Sequence, residues 1–156
     1  MTDLHLHDNQ IGTDGVERLA GVLGLCPSLV YLNLRCNQIG DTGAEWFEGV
    51  LPECTVLSDL NLRGNKIGPD GGLNLAGVLV QCTDLVHLDL SNNYMGVGAT
   101  QGVGGVLERC LASSRENEMK ECKRVFELRD VVNPLSLFSK SCGPNRPHNS
   151  DLSRVK

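Results

Sequence analysis

The chain has 156 residues, a net charge of −5 and only six aromatic side chains, so its core must be built from Leu, Val, Ile and Ala. No run approaches the ~18 apolar residues of a membrane span, and "MTDLHLHDNQ" lacks the basic and apolar regions of a signal peptide. A soluble, cytoplasmic protein without a membrane partner is therefore expected. Seven cysteines, an odd number, are then expected as thiols rather than as a disulfide framework. Residues 1–112 hold 5 Lys+Arg against 13 Asp+Glu, and residues 113–156 hold 9 against 6. An acidic body of this kind argues against a nucleic-acid partner, which requires a basic footprint.

Taken in chain order, the first element is "DLHLHDNQIG" from residue 3: a short alternating strand that carries Leu4 and Leu6 to one side. Asn9 follows, an amide able to satisfy backbone groups in a buried turn, and Gly12 supplies the backbone freedom to leave it. Leu19, Ala20 and Leu23 then recur at helical spacing. The second element, "YLNLRCNQIG" from residue 31, leads into a helical pattern marked by Phe47 and Leu51. The third, "DLNLRGNKIG" from residue 59, leads into Leu75, Ala76 and Leu79. "HLDLSNNYMG" from residue 87 begins the fourth. Asp14, Thr42 and Asp70 lie where side-chain oxygens cap helix starts.

These starts keep one constant period, and the columns persist between them: Leu4/Leu32/Leu60/Leu88, Leu6/Leu34/Leu62/Leu90, Asn9/Asn37/Asn65/Asn93, Gly12/Gly40/Gly68/Gly96 and Cys26/Cys54/Cys82/Cys110. One such unit cannot bury its own apolar face, whereas stacked units can. The cysteine column reads as small buried hydrophobes. After residue 112 the period stops. Met119, Cys122, Val125 and Phe126 predict an amphipathic helix or C-terminal cap over 113–130, and the Ser-, Pro- and Asn-rich stretch 131–156 is expected to be disordered.

The pattern resembles the ribonuclease-inhibitor-like class of leucine-rich repeats, as found in NOD-like receptors and Ran GTPase-activating proteins. That resemblance implies an α/β solenoid over 1–112 of four 28-residue repeats, with short parallel strands on a concave face and helices on the convex one. It also leaves several uses open, because function on a shared fold resides in the site.

Chemistry-bearing alternatives are weak. "NKIGPDGG" has a lysine before glycines, but Lys66 shares its column with Gln10, Gln38 and Tyr94, and no Walker A spacing exists. "GVGATQG" fits a drifted repeat better than a dinucleotide fingerprint. His5 and His7 share a strand face near Asp3, yet the next unit supplies Tyr31, Asn33 and Arg35 there rather than further metal ligands. No catalytic residue, cofactor or metal is assigned, and no enzyme is expected.

What remains is the exposed side of the sheet. Tyr31, Asn33, Arg35, Asp59, Asn61, Arg63, His87 and Asp89 are the candidate partner-binding residues. Arg35 and Arg63 fall on neighbouring strands about 5 Å apart, a like-charge pair suited to an acidic partner or simply copied with the repeat. Trp46 is either an outward anchor or packed on its neighbours. The expected role is recognition of another protein, non-enzymatic, on the concave face. The alternatives are a regulator of a GTPase or other enzyme, or the sensing fragment of a NOD-like receptor. Nothing precedes Leu4 and Leu6 to cover them, so self-association through the N-terminal edge, or a preceding repeat, is a further expectation.

Overall fold

The computed structural model describes residues 1–105 and 125–127. Its elements alternate: β1 (Asp3–His5), α1 (Gly12–Leu23), β2 (Tyr31–Asn33), α2 (Gly40–Glu45), a 3-10 turn (Leu51–Glu53), β3 (Asp59–Asn61), α3 (Pro69–Leu79), β4 (His87–Asp89), a helical segment α4 over 96–105, and β5 (Val125–Glu127). The strands form one sheet in the order β1-β2-β3-β4-β5, and every neighbouring pair is parallel. Asp3 pairs with Tyr31, Tyr31 with Asp59, and Asp59 with His87. Equivalent residues therefore stand side by side.

This register stacks the leucine columns into one core. Leu32, Leu60 and Leu88 are buried, as are Leu34, Leu62 and Leu90, packed with Val16, Phe47 and Leu75 from the helical side. Burying a leucine side chain is worth about 1.5–3 kcal/mol, and a unit gains that only when neighbours cover it. The first unit shows the difference: Leu4, Leu6, Ile11, Leu19, Ala20 and Cys26 are only partly buried.

The asparagine column holds the turns together. Asn37, Asn65 and Asn93 are all but fully buried. The Asn65 amide donates to the carbonyls of Leu62 (2.9 Å) and Leu34 (2.8 Å), and its oxygen accepts from Asn37 N–H at 2.7 Å. Asn93 does the same one unit later, accepting from Asn65 and Ile67 N–H, both at 3.0 Å. A short side chain with both donors and an acceptor is required here. Asp would lack the donors, and Leu would orphan buried backbone N–H groups of the preceding unit.

Gly12, Gly40 and Gly96 leave the turn at φ between 64° and 69°. Gly68 does not, lying at φ −92° and ψ −164°. Pro69 follows it and pushes the preceding residue to extended backbone.

Several expectations need correcting. Asp14, Thr42 and Asp70 cap no helix through a side-chain hydrogen bond. Instead Asp41, from the preceding unit, accepts from Gly68 N–H and from Gly71 N–H (3.0 Å) at the start of α3. The helix expected through Phe47 and Leu51 ends at Glu45. Phe47 and Leu51 are buried all the same, held by tighter turns such as Val50 N–H to Phe47 O at 3.2 Å. Pro52, whose equivalents are Gly24 and Val80, disfavours a continuing helix.

Cys54 and Cys82 are buried thiols as expected, and burial raises the Cys54 thiol pKa. Cys36, expected like the other cysteines as a thiol, is buried and disulfide-bonded. It stands outside the repeating cysteine column of Cys26, Cys54 and Cys82.

Val125–Glu127 falls inside the stretch expected as a helix, but it is a strand paired with β4 in the register His87↔Val125. This step along the chain is longer than the repeat period that sets the other strand pairs. Val and Phe favour strands, and the free edge of β4 offers a row of unpaired backbone groups to receive one. The rest of 113–130, and the 131–156 tail, lie outside the described residues.

Candidate functional site

One face of the sheet is covered by helices and turns, and the other carries the side chains that alternate with the leucines. Three rows cross the strands on this open face. The first comprises Asp3, Tyr31, Asp59 and His87, and the second His5, Asn33, Asn61 and Asp89. The third, just past the strands, comprises His7, Arg35, Arg63 and Ser91.

The second row is partly structural. Asn33 Oδ1 accepts from Arg35 N–H at 3.1 Å, and Asn61 Oδ1 from Arg63 N–H at 3.0 Å. Asp89 Oδ1 accepts from both the N–H (3.0 Å) and the hydroxyl (2.6 Å) of Ser91. Each acceptor thus fixes the residue two positions on, as short polar side chains do in turns. The Asn33 amide also donates to the Tyr31 hydroxyl at 3.2 Å, and the Tyr31 ring lies 4.9 Å from that of His5, tilted 39°. Tyr31, Asn33 and His5 therefore form one fixed cluster at the β1–β2 end.

Further along, Ser58 Oγ donates to Asp59 Oδ2, whose other oxygen is 3.9 Å from His87 Nε2. That pair is half-exposed and contributes little to stability.

Arg35 and Arg63 are not equivalent. Arg35 is exposed, while Arg63 is half-buried. The hydrogen-bond network orients the Asn92 amide with its oxygen toward Arg63, accepting from Nε and Nη2 at 3.1 Å each. Sequence reading missed Asn92. Its signal was available: it shares a column with Asp8, Cys36 and Gly64, all at φ between 55° and 67°, a conformation that Asn tolerates better than most residues.

The turn beyond the third row carries Gln10, Gln38, Lys66 and Tyr94, with Lys66 Nζ donating to Gln38 Oε1 at 3.0 Å. Charge is segregated along the strands. Of the four Lys and Arg residues in 1–105, three (Arg35, Arg63 and Lys66) sit at the third row or in this turn, while Asp3 and Asp59 mark the first row. Trp46 lies on the helical side and is 41% exposed, so it is neither buried nor part of this face. Among the described residues, no helix is long and apolar enough to cross a membrane.

A family model described as Leucine Rich repeat matches residues 1–20, 25–45 and 53–76. No curated protein is significantly similar to the chain. Parallel strands alternating with helices, leucines stacked in register and the matched segments together support a leucine-rich-repeat protein.

Proposed function

We propose that the chain is a protein-recognition module of the ribonuclease-inhibitor-like class, four 28-residue repeats wound as a solenoid, binding a partner on the open sheet face without catalysing a reaction. The observation that carries this reading is a polar face whose side chains are already held in place. Tyr31, Asn33, Asn61 and Asp89 are pinned by hydrogen bonds above an apolar core. A surface ordered before binding loses little side-chain entropy on association. A photo-crosslinking residue at Asn61 should capture a discrete partner, and one at Glu17 on α1 should not. Capture from α1 alone would overturn the placement.

A second reading concerns the β1 edge. In later units each turn amide donates to the preceding leucine carbonyl, whereas among the described residues Asn9 donates only to His7 O at 3.2 Å. With Leu4 and Leu6 partly exposed beside it, this edge suits self-association. Light scattering that shows a monomer at all concentrations, unchanged by Leu4→Lys, would remove this reading.

A further inference from the structure

We propose that the open sheet face takes an acidic protein segment, and that Arg35 rather than Arg63 binds its carboxylate. The inference rests on the recognition role proposed above and names the chemistry of the partner.

The two arginines follow the same Asn-Leu-Arg sequence, but the structure separates them. Arg63 spends Nε and Nη2 on Asn92, one of the two edges with which a guanidinium grips a carboxylate. It acts as a fixed neighbour. Arg35 has an exposed side chain with no hydrogen bond or ion pair among the described residues. Its backbone, by contrast, is held on three sides. The N–H donates to Asn33 Oδ1 (3.1 Å), and the carbonyl accepts from Asp8 N–H (2.8 Å) and from the Asn37 amide (3.1 Å). A rigid base with an open fork is the arrangement that loses least on gripping a planar carboxylate.

The surroundings favour the same ligand. His7 and Arg63 flank Arg35 in its row, and Ser91 ends it, so the row contains no acid. Asp8 lies against the Arg35 carbonyl through its own N–H, yet its carboxylate makes no ion pair with the guanidinium. The chain as a whole is acidic, so this basic row is a local exception and a source of orientation rather than general attraction.

The segregation of charge adds a polarity. The first row, with Asp3 and Asp59, lies four residues earlier along the strands, about 13 Å away at the rise of a strand. A segment with an acid over Arg35 and a Lys or Arg over that row matches both ends.

The test is a random peptide display selection against the full-length protein. Selected peptides are mapped by amide chemical-shift changes and re-measured on Arg35→Glu and Arg63→Gln, with circular dichroism confirming that both fold. The expected result is enrichment of Asp or Glu in the selected peptides, with shifts centred on Arg35 and Tyr31. Affinity should fall about tenfold or more in Arg35→Glu, the loss of one charge-assisted contact or more, and much less in Arg63→Gln. Replacing the peptide's acid by Lys should restore binding to Arg35→Glu. Peptides that map to the face but lack acids, or that ignore Arg35→Glu, overturn this inference and leave the recognition role standing. Peptides that map only to the helices, or a selection that yields no face-binding peptide, overturn both.

Discussion

The side-chain oxygen of Asn65 accepts a 2.7 Å hydrogen bond from the backbone N–H of Asn37, its equivalent in the preceding repeat. The same amide donates to Leu34 and Leu62, so one side chain closes its own turn and ties it to the previous one. Asn65→Leu removes these bonds and leaves the Asn37 N–H buried without a partner, while the Leu34 and Leu62 carbonyls each keep the amide of a neighbouring asparagine. At about 1–3 kcal/mol for a buried group left unsatisfied, a loss in that range is expected in urea denaturation. Asn9→Leu, at the exposed end of the column, should cost less than about 1 kcal/mol. Equal losses at the two sites would show that the column does not act between units.

Close approach of helices α2 and α3 depends on Gly71. A Cβ there would lie 2.9 Å from the Asp41 Cα and 2.6 Å from its Oδ1, contacts that backbone must move to relieve. Gly71→Ala should destabilise by about 1–3 kcal/mol, the range for overpacking. Gly77, in the same helix, has open space around it. Gly77→Ala should raise stability by about 0.5–1 kcal/mol through helix propensity alone. Opposite signs in thermal melts of these two variants are the check.

Asp41 caps a helix that is not its own. Asp41→Ala removes the acceptor for Gly68 and Gly71 N–H and should cost about 1 kcal/mol, as for a lost N-cap. Asp41→Asn keeps an acceptor but removes the charge at the positive end of α3, and should fall between the two. Hydrogen exchange should quicken in the first turn of α3 and leave α1 unchanged.

Burial, with smaller contributions from Cys26 and Glu53, raises the Cys54 thiol pKa. The folded chain therefore keeps a proton that the unfolded chain releases near the ordinary thiol value, about 8.5. The contribution to stability is complete below that pH and declines as pH rises through and beyond it, by at most about 1.4 kcal/mol per pH unit. Denaturation midpoints of the parent protein should fall more steeply than those of Cys54→Ala as pH rises from about 8 to about 10. Parallel curves would remove the effect.

The sequence by itself determined the units. A column of leucines, a column of asparagines and a column of glycines, each recurring once per repeat, require a strand, a buried turn and a helix in that order. Local periodicity and turn chemistry decide such things without knowledge of neighbours. Tertiary structure decided what depends on the unit next door. Asp41 became the cap of α3 because stacking brings it over Gly68 and Gly71, and no cap rule within one unit foretells that. The second helix stopped at Glu45 while Phe47 and Leu51 stayed buried, because packing against adjacent units holds them whatever the local backbone. Val125–Glu127 paired as a strand because the edge of β4 offered backbone partners. Arg35 and Arg63, indistinguishable in their Asn-Leu-Arg triplets, were set apart by Asn92, a residue whose importance lies in the neighbour it reaches. Contacts from one repeat to the next are made only when the sheet forms, and they decide which side chains are held and which are left open.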